Sequence, residues 1–551
     1  MANLKPTYLF QLKKHGLPAV FFVLYLILGL SIYTHYGISF DEHWGRENGI
    51  INAKYIVQKL APGNLAIQEF CVGCPTLADY PDADHGPVFE IGTTFLEFVF
   101  GIKDPEAIYK LRHLCSFLVF YLGSIFFYLL LHDRFRNSLI SLTGVLLLVL
   151  SPRIFAESFY NAKDLPFLAL MIIGTYTLIR FVNKPALSTA FWHGLACGLA
   201  LDIRILGLLL PAATLAASLL NLKGIRPDGI SAKVTFVNLS FFLLFFAVFT
   251  IAFWPVLWEN PIGNFLNILS RSSKYPWPGN VLYQGYVIAA TALPWHYLPV
   301  WFFITTPLGY TLLFLAGFST VLMQVFRSGL ALYKNAQERQ DLILAGLFVV
   351  PILAAIFLKL VLYDGWRHMY FIYPPFIYVA TLGIYTLYRK SISVTNKQTG
   401  KILQTSLVAA LLFLMGSVAF WMVKNHPYQN VYFSIYKDDS VRQKFELDYW
   451  GLAYKQGLEF IIKDSDKPAI NVYVANLPGR INQYSLPPEQ RQRLVYVDHI
   501  SKADYFLTEY RWHPTDYPLQ QEVYQIKVDN IKIFSVFKPD KVYKELKTHL
   551  Y

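Results

Sequence analysis

The sequence predicts an α-helical polytopic membrane protein of about eleven transmembrane helices, followed by a small α/β domain outside the membrane. Of the 551 residues, 55% are hydrophobic and 15% are charged, whereas soluble proteins carry about 25% charged residues. Apolar stretches close to the length that crosses a bilayer recur up to residue 421. The remaining residues carry more charge and contain short strand-like runs. An ordinary soluble protein is therefore excluded.

Eleven apolar stretches are candidates for membrane-spanning helices, because each approaches the roughly 20 residues that the hydrocarbon core requires. They are 17–38, 111–131, 138–151, 165–182, 188–202, 205–221, 234–254, 299–326, 341–362, 368–387 and 403–421. No small-residue cleavage site follows the first stretch, which is therefore interpreted as a retained anchor and not as a signal peptide.

Basic residues indicate which loops face the cytoplasm. Lys and Arg concentrate before the first stretch and after each even-numbered one, as at Lys13, Arg134, Arg180, Arg327 and Arg389. The positive-inside rule therefore places the N-terminus and these loops in the cytoplasm. The same distribution explains the formal charge of +12 without nucleic-acid binding.

Two regions are then predicted: a membrane domain over 1–421, including an extracytoplasmic loop 39–110, and a soluble extracytoplasmic domain over 422–551. The loop begins with a predicted surface helix, Trp44–Leu60. The second region alternates a helical pattern with strand patterns. These are Lys455–Ile462 for the helix and Ile470–Ala475, Leu494–Val497, Tyr505–Thr508 and Ile531–Phe537 for the strands.

Two further patterns concern bound groups. Cys71 and Cys74 form Cys-Val-Gly-Cys in the first loop. One interpretation is a local disulfide between them. The other is a structural zinc site, which would need two more ligands. No Gly-x-Gly-x-x-Gly or Walker pattern occurs, so no nucleotide and no other cofactor is predicted.

Ionisable side chains collect at the extracytoplasmic ends of the predicted spans. Such groups are costly near lipid and are usually paired or functional. Cations around a few carboxylates suit a phosphate-bearing ligand and a base. Helix capping and snorkelling are the structural alternatives. The set comprises Asp41, Glu42, His85, Arg153, Lys163, Asp164, Asp202, Arg204, Arg271, Lys274, Asp364, Arg367 and His368.

The order of these motifs resembles that of the polyprenyl-phosphate-dependent GT-C glycosyltransferases. An apolar span is followed by Asp-Glu, His-Gly-Pro, Ser-Pro-Arg, Asn-Ala-Lys-Asp-x-Pro and a late Tyr-Asp-Gly-x-Arg-His, over about residues 17–370. The chain is most similar to the bacterial members grouped with dolichyl-phosphate-mannose protein mannosyltransferases and with aminoarabinose transferases of lipid A. Trp44 stands where the latter carry Arg, and His85 where they carry Lys, so the substrate stays open.

The resemblance implies a GT-C fold and inverting transfer of a sugar from a polyprenyl-phosphate donor in the membrane to an extracytoplasmic acceptor. It implies that Asp41 is the base, that Glu42 is its neighbour and that Asp164 is a second acidic residue of the site. The candidate ligands of the donor phosphate are His85, Arg153, Lys163, Arg367 and His368, and no metal is required. A glycan, a lipid and a protein all remain possible acceptors, and a bacterial inner membrane is the expected location.

Two other functional classes remain open. A transporter or flippase for a lipid-linked or anionic substrate also has many spans and charged ends, but it is expected to carry functional charges near the bilayer midplane. An inactive scaffold that acts through its soluble tail is the third class.

Overall fold

The computed structural model describes residues 6–63, 73–223, 231–273 and 277–539. Nineteen α-helices and seven strands lie in these ranges. The helices are α1 Pro6–Ile32, α2 Phe40–Leu60, α3 Val88–Val99, α4 Pro105–Phe135, α5 Ser138–Val149, α6 Pro152–Tyr160, α7 Asp164–Asn183, α8 Leu187–Ile203, α9 Leu209–Lys223, α10 Ala232–Phe253, α11 Pro261–Ser273, α12 Tyr297–Ile304, α13 Leu308–Ser328, α14 Ala336–Phe357, α15 Tyr373–Ser393, α16 Lys397–Lys424, α17 Tyr454–Asp464, α18 Pro478–Ile481 and α19 Pro488–Arg491. The strands are β1 Asn280–Tyr283, β2 Tyr286–Ala289, β3 Ile470–Val474, β4 Leu494–Tyr496, β5 Tyr505–Thr508, β6 Glu522–Val528 and β7 Ile531–Phe537.

The predicted multi-pass membrane architecture is confirmed. Among the described residues, seven helices are long and apolar enough to cross a membrane, or eight if the bent pair α5 and α6 counts as one span. The other three predicted spans correspond to shorter apolar helices, Gly16–Ile32, Leu187–Ile203 and Ile205–Leu220. Each of the eleven predicted stretches therefore coincides with an apolar helix or helix pair.

Two predicted spans have different boundaries, and proline explains both. The stretch 138–151 continues into α6, which turns by 68° at Ser151 and Pro152. The stretch 299–326 is divided into α12 and α13 around Pro307. Proline lacks a backbone N–H and fixes φ, so it is tolerated at the start of a helix and breaks the interior of one.

The helices pack closely where glycines face each other. A Cβ atom on Gly317 of α13 would lie 1.8 Å from the carbonyl oxygen of Val379, and one on Gly383 of α15 would lie 2.1 Å from that of Leu313. Small residues of this kind allow membrane helices to approach backbone to backbone. At the end of the bundle with the basic loops, Arg134 forms an ion pair of 2.6 Å with Asp341.

The helix α2 begins four residues before the predicted surface helix. Ser39 precedes it, and the Glu42 carboxylate accepts the Ser39 backbone N–H at 2.7 Å, which is half of a capping box. Ile50 and Ile51 are buried against the protein. Helices α2 and α3 together cover the end of the helix bundle that lies opposite the basic loops.

The C-terminal region forms the predicted small α/β domain. Its five-stranded sheet has the order β4-β3-β5-β7-β6, in which β3 pairs in parallel with β4 and β5, and β7 pairs antiparallel with β5 and β6. The predicted helix and four strands are present. Strand β6 was not predicted from the sequence. It lies at an edge of the sheet, where charged residues such as Glu522 and Lys527 are usual.

One hydrophobic core joins this domain to the membrane helices. Tyr449 and Trp450, which precede α17, are almost fully buried and belong to the same cluster as the aromatic residues of α4 and α15. Of the cysteines, Cys115 and Cys197 are free. Cys74 is disulfide-bonded, and Cys71 lies outside the described residues.

Candidate active site

Two adjoining cavities lie at the end of the bundle that α2 covers. The larger has a volume of about 550 Å³ and is enclosed by α2, the segment 80–90 and the C-terminal domain. The smaller has about 230 Å³ and is enclosed by the segments 203–206 and 359–369. Seven of the described residues line both cavities and so form the wall between them: Asp41, His85, Gly86, Lys163, Ile203, Tyr363 and Arg367.

Asp41 occupies this shared wall. It is the second residue of α2, and its side chain is 36% exposed. Its Oδ2 accepts a hydrogen bond of 3.0 Å from Nη1 of Arg367. The carboxylate is therefore held in position by one partner while it remains accessible from both cavities.

Arg367 is the charged centre of the site. Its buried guanidinium contacts three carboxylates, namely Asp41, Asp364 at 3.0 Å and Asp164 at 3.3 Å. It also lies over the aromatic rings of Tyr363 and Trp450, 5.1 and 4.7 Å from their centroids. A buried cation needs such compensation, and the arrangement fixes the spatial relation of the three acids.

Asp164 positions cations from beneath the cavities. It is buried, begins α7, and contacts Arg367 and Nη2 of Arg204. Asn161 orients it twice: its Oδ1 accepts the Asp164 N–H at 2.8 Å, and its Nδ2 donates to the carboxylate at 3.0 Å. Asp164 itself does not line either cavity, whereas Arg204 lines the smaller one.

The side chain of Lys163 brings a positive charge to the wall of both cavities. It lines both of them, and among the described residues its ammonium has no ion-pair partner within 4.0 Å. Burial, reinforced by the positive charge of Arg204, lowers the pKa of Lys163 to about 8. A desolvated ammonium without a fixed partner is suited to binding an anion.

His85 belongs to a group that has the composition of a metal site. Atoms of Asp82, Asp84 and His85 able to coordinate a metal all lie within 4.8 Å of one another. The positive charge of Lys163 and, next, burial hold the pKa of His85 well below its usual range, so the imidazole is neutral. Carboxylate oxygens with a neutral imidazole are ligands that divalent cations accept.

Glu42 and Arg153 lie outside both cavities. Glu42 is buried, and besides the Ser39 N–H its carboxylate contacts Nε2 of His113 at 3.1 Å. Arg153 is buried over the rings of Trp301 and Phe433, and its Nε donates to the Tyr432 carbonyl at 3.4 Å.

His368, by contrast, lines the smaller cavity, edge-on to the ring of Tyr363 at 4.4 Å. The structure thus brings Asp41, His85, Lys163, Arg367 and His368 together, with Asp164 directly beneath.

The C-terminal domain contributes cavity-lining residues that were not predicted from the sequence. Asn476, Glu509, Arg511 and Trp512 line the larger cavity. Arg511 donates to Oδ1 of Asp364 at 2.5 Å and to the Tyr449 carbonyl at 2.7 Å. The sequence feature that could have identified Glu509, Arg511 and Trp512 is the run Glu-Tyr-Arg-Trp-His, which directly follows the predicted strand Tyr505–Thr508.

Residues 84–254 match the family model of dolichyl-phosphate-mannose-protein mannosyltransferase. Over this segment the chain is similar to the GT-C glycosyltransferases that the model describes. The resemblance that the motif order predicted is thereby confirmed, and the matched segment contains His85, Lys163, Asp164 and Arg204. No protein of curated function matches the chain in sequence.

Solved structures, among them these two, resemble the chain over most of its length. One is ArnT from Cupriavidus metallidurans bound to undecaprenyl phosphate, with 14% identity and a TM-score of 0.49 over 95% of this chain and 98% of that one. The other is the oligosaccharyltransferase AglB from Archaeoglobus fulgidus in complex with an inhibitory peptide and a dolichol-phosphate. It has 12% identity and a TM-score of 0.44 over 89% of this chain and 69% of that one.

Proposed function

We propose that the protein transfers a sugar from a polyprenyl-phosphate donor to an extracytoplasmic acceptor, with inversion at the anomeric carbon. One observation carries the proposal: an accessible carboxylate, Asp41, and an ammonium that forms no ion pair with any described residue, Lys163, lie on the wall shared by two cavities. A transferase needs a base beside the acceptor and a cation beside the leaving group. The wall offers both groups between two separate compartments.

The smaller cavity suits the phosphate of the donor. Four cationic residues line it, whereas Asp41 and Asp84 are its only acidic lining residues among those described. Apolar residues such as Leu206 and Val361 complete it and suit the adjoining lipid chain. The cations are Lys163, Arg204, Lys359 and Arg367.

Lys163 is the principal candidate among these cations, because Arg204 and Arg367 already contact carboxylates. His85 and His368 line the same cavity and add hydrogen-bonding groups at its edge. Arg153 acts only indirectly in this scheme, through the packing of Trp301 and Phe433.

The chemistry follows from this placement. An acceptor hydroxyl in the larger cavity attacks the anomeric carbon and gives its proton to Asp41, as in general base catalysis. A carbon–oxygen bond to the acceptor forms while the bond to the phosphate oxygen breaks, and the electron pair leaves with the phosphate. Lys163 stabilises the charge that develops there. Attack from the cavity opposite the phosphate inverts the anomeric centre.

Asp164 and Glu42 support Asp41 in different ways. Asp164 fixes Arg204 and Arg367, and Arg367 in turn orients Asp41. Glu42 fixes the first turn of α2, from which Asp41 projects.

The basic loops support one orientation of this multi-pass protein. We place the N-terminus in the cytoplasm of a bacterium and the site on the outer face of its inner membrane, because the loops with excess Lys and Arg lie at the opposite end of the bundle. Residues 422–551 then form an extracytoplasmic domain that closes the larger cavity.

The test is turnover of labelled polyprenyl-phosphate sugars by the purified protein, with release of polyprenyl phosphate as the readout. Asp41→Asn is expected to lower that rate by about 10²–10⁴-fold, the usual contribution of a general base. Glu47→Gln is the matched control, because it removes a carboxylate from the same helix without touching either cavity.

Two outcomes would contradict the proposal. One is an Asp41→Asn protein, folded as judged by its thermal unfolding, that turns over donor at the wild-type rate. The other is a protein that moves the labelled lipid across vesicle membranes without cleaving it, which would make it a flippase.

A further inference from the structure

The larger cavity adjoins the proposed base and is built differently from the smaller one. Its volume of about 550 Å³ lies within the range of about 300–1,000 Å³ that small-ligand sites occupy. The two cavities share Asp41, so a group bound in the larger one reaches this carboxylate from the side away from Arg204 and Lys359.

Aromatic rings form much of the cavity wall. Trp44 lies one helical turn after Asp41 on α2 and is 43% exposed. Trp512 enters from the C-terminal domain, partly buried, with the Arg511 guanidinium 4.8 Å from its ring centroid. Trp277 stacks on Tyr363 with 4.2 Å between centroids. Flat aromatic faces carry partial negative charge and pack against C–H groups with partial positive charge, which the faces of a pyranose ring provide.

The polar groups of the wall accept more hydrogen bonds than they donate. Among the described residues, five acidic and three basic ones line the larger cavity, and a carboxylate that is ionised only accepts. Arg367 is engaged with Asp41 and Arg511 with Asp364, and Glu90 is paired with Arg112. The lone pairs that these three carboxylates leave over can still accept hydrogen bonds. Asn476 adds an amide, held by its hydrogen bond of 2.6 Å to Glu509. Sugar hydroxyls can donate to these carboxylates and to the amide oxygen, whereas an anion would meet five acidic side chains and, on the shared wall beside the engaged Arg367, only Lys163, which the proposed function assigns to the donor phosphate.

We propose that the acceptor is a sugar unit without an anionic group, bound in the larger cavity against Trp44 and the Asn476–Glu509 pair. This proposal rests on the proposed function, because it identifies the substrate class of the same site. The reacting hydroxyl lies at Asp41, and the rest of the glycan extends away from the shared wall. Trp44 and Asn476 are specificity residues in this scheme.

Other acceptor classes fit these groups less well. A phosphorylated lipid sugar would bring negative charge to a wall that has an excess of carboxylates. A peptide offers one N–H donor and one carbonyl acceptor per residue, and its carbonyls would find few donors here, since two of the three basic side chains are engaged with carboxylates. Both classes serve as competing outcomes of the test.

The experiment measures binding without donor and then transfer. Saturation-transfer NMR on the full-length protein uses three probes: methyl glycosides of neutral hexoses and N-acetylhexosamines, a hexose phosphate, and a serine-containing peptide. We expect binding of the methyl glycosides with the strongest transfer to ring C–H protons. Trp44→Ala should weaken it about two- to tenfold, as loss of one aromatic contact does, and Trp44→Phe should retain most of it. Asn476→Ala should also weaken it.

Trp295→Ala is the matched control, since Trp295 is 69% exposed and lies outside both cavities. Preferred binding of the hexose phosphate or the peptide, absence of any methyl glycoside signal, or equal affinity in Trp44→Ala and wild type would overturn the sugar acceptor. Labelled donor is then added. Transfer to the peptide but not to the glycosides contradicts this inference and leaves the proposed function intact. Glycoside binding without donor turnover contradicts the proposed function instead.

Discussion

Nη1 of Arg367 lies 3.0 Å from Oδ2 of Asp41, although 326 positions separate the two residues in the chain. The same guanidinium contacts Asp164 and Asp364, and Asp364 in turn accepts from Arg511 of the C-terminal domain. A single path of charged hydrogen bonds therefore runs from the sheet domain to the proposed base.

Arg367→Ala is expected to reduce both stability and donor use. Removing one partner from buried ion pairs costs about 3–5 kcal/mol, and here three carboxylates would lose their shared cation. Arg367 lines both cavities, but its positive charge attracts the donor phosphate and not a neutral acceptor, so KM for the donor should rise more than KM for the acceptor. Thermal unfolding and donor kinetics measure these effects. Arg271→Ala is the control, since Arg271 is 64% exposed and such pairs contribute about 0–1 kcal/mol. Unchanged donor kinetics would make Arg367 purely structural.

Donor binding should weaken as the pH rises through about 8. The pKa of Lys163 is lowered to about 8 by burial and by Arg204, so the ammonium is charged below that pH and neutral above it. Lys163→Arg keeps its charge throughout and should remove the alkaline decline in donor affinity. The same decline in both proteins would show that another group titrates.

Glu42→Gln should lower stability and leave turnover largely intact. Its carboxylate accepts from the Ser39 N–H and contacts His113, and it does not line either cavity. Weakening a buried charged hydrogen bond costs about 1–3 kcal/mol. The midpoint of thermal unfolding should fall while kcat per folded molecule is retained. A loss of kcat as large as that of Asp41→Asn, at unchanged stability, would instead give Glu42 a direct catalytic role.

Arg511→Ala should slow transfer through the position of Asp364. The substitution removes the hydrogen bonds to Asp364 and to the Tyr449 carbonyl, which, as bonds to a charged group, contribute about 1.5–3 kcal/mol each. We expect kcat to fall about tenfold, with partial recovery in Arg511→Lys.

Arg491→Ala is the control for this prediction, because it breaks a different ion pair of the C-terminal domain, the one with Asp104 of the first loop. Equal kcat in Arg511→Ala and Arg491→Ala would contradict a positioning role for Arg511.

The fold could be predicted because its signals are local. Apolar length defines a membrane helix, and alternation defines a strand, so the eleven apolar segments and four of the five strands of the C-terminal sheet were found from the chain alone. The exceptions have local causes as well: Pro152 and Pro307 moved two helix boundaries, and charged residues concealed the edge strand β6.

The candidate site was predictable in part. Motif order selected Asp41, Lys163 and Arg367, all of which line the shared wall. It also selected Glu42 and Arg153, because a sequence shows that a charge lies at a helix end but not which way the side chain points. Motif order did not select Arg511 and Asn476. They follow strands of the C-terminal domain, and nothing in the sequence of these strands indicates that they pack against the membrane helices.

By itself, the sequence determined the class of protein, the number and approximate limits of its apolar helices, and the end of the bundle where charges collect. These follow from composition and short-range periodicity. Only the tertiary structure decided which charges meet, since Arg367 reaches Asp41 and Asp364 reaches Arg511 through the packing of distant segments. It also decided that the C-terminal domain closes the larger cavity. Such contacts depend on the buried core that joins the two regions, and a core is a property of the whole chain.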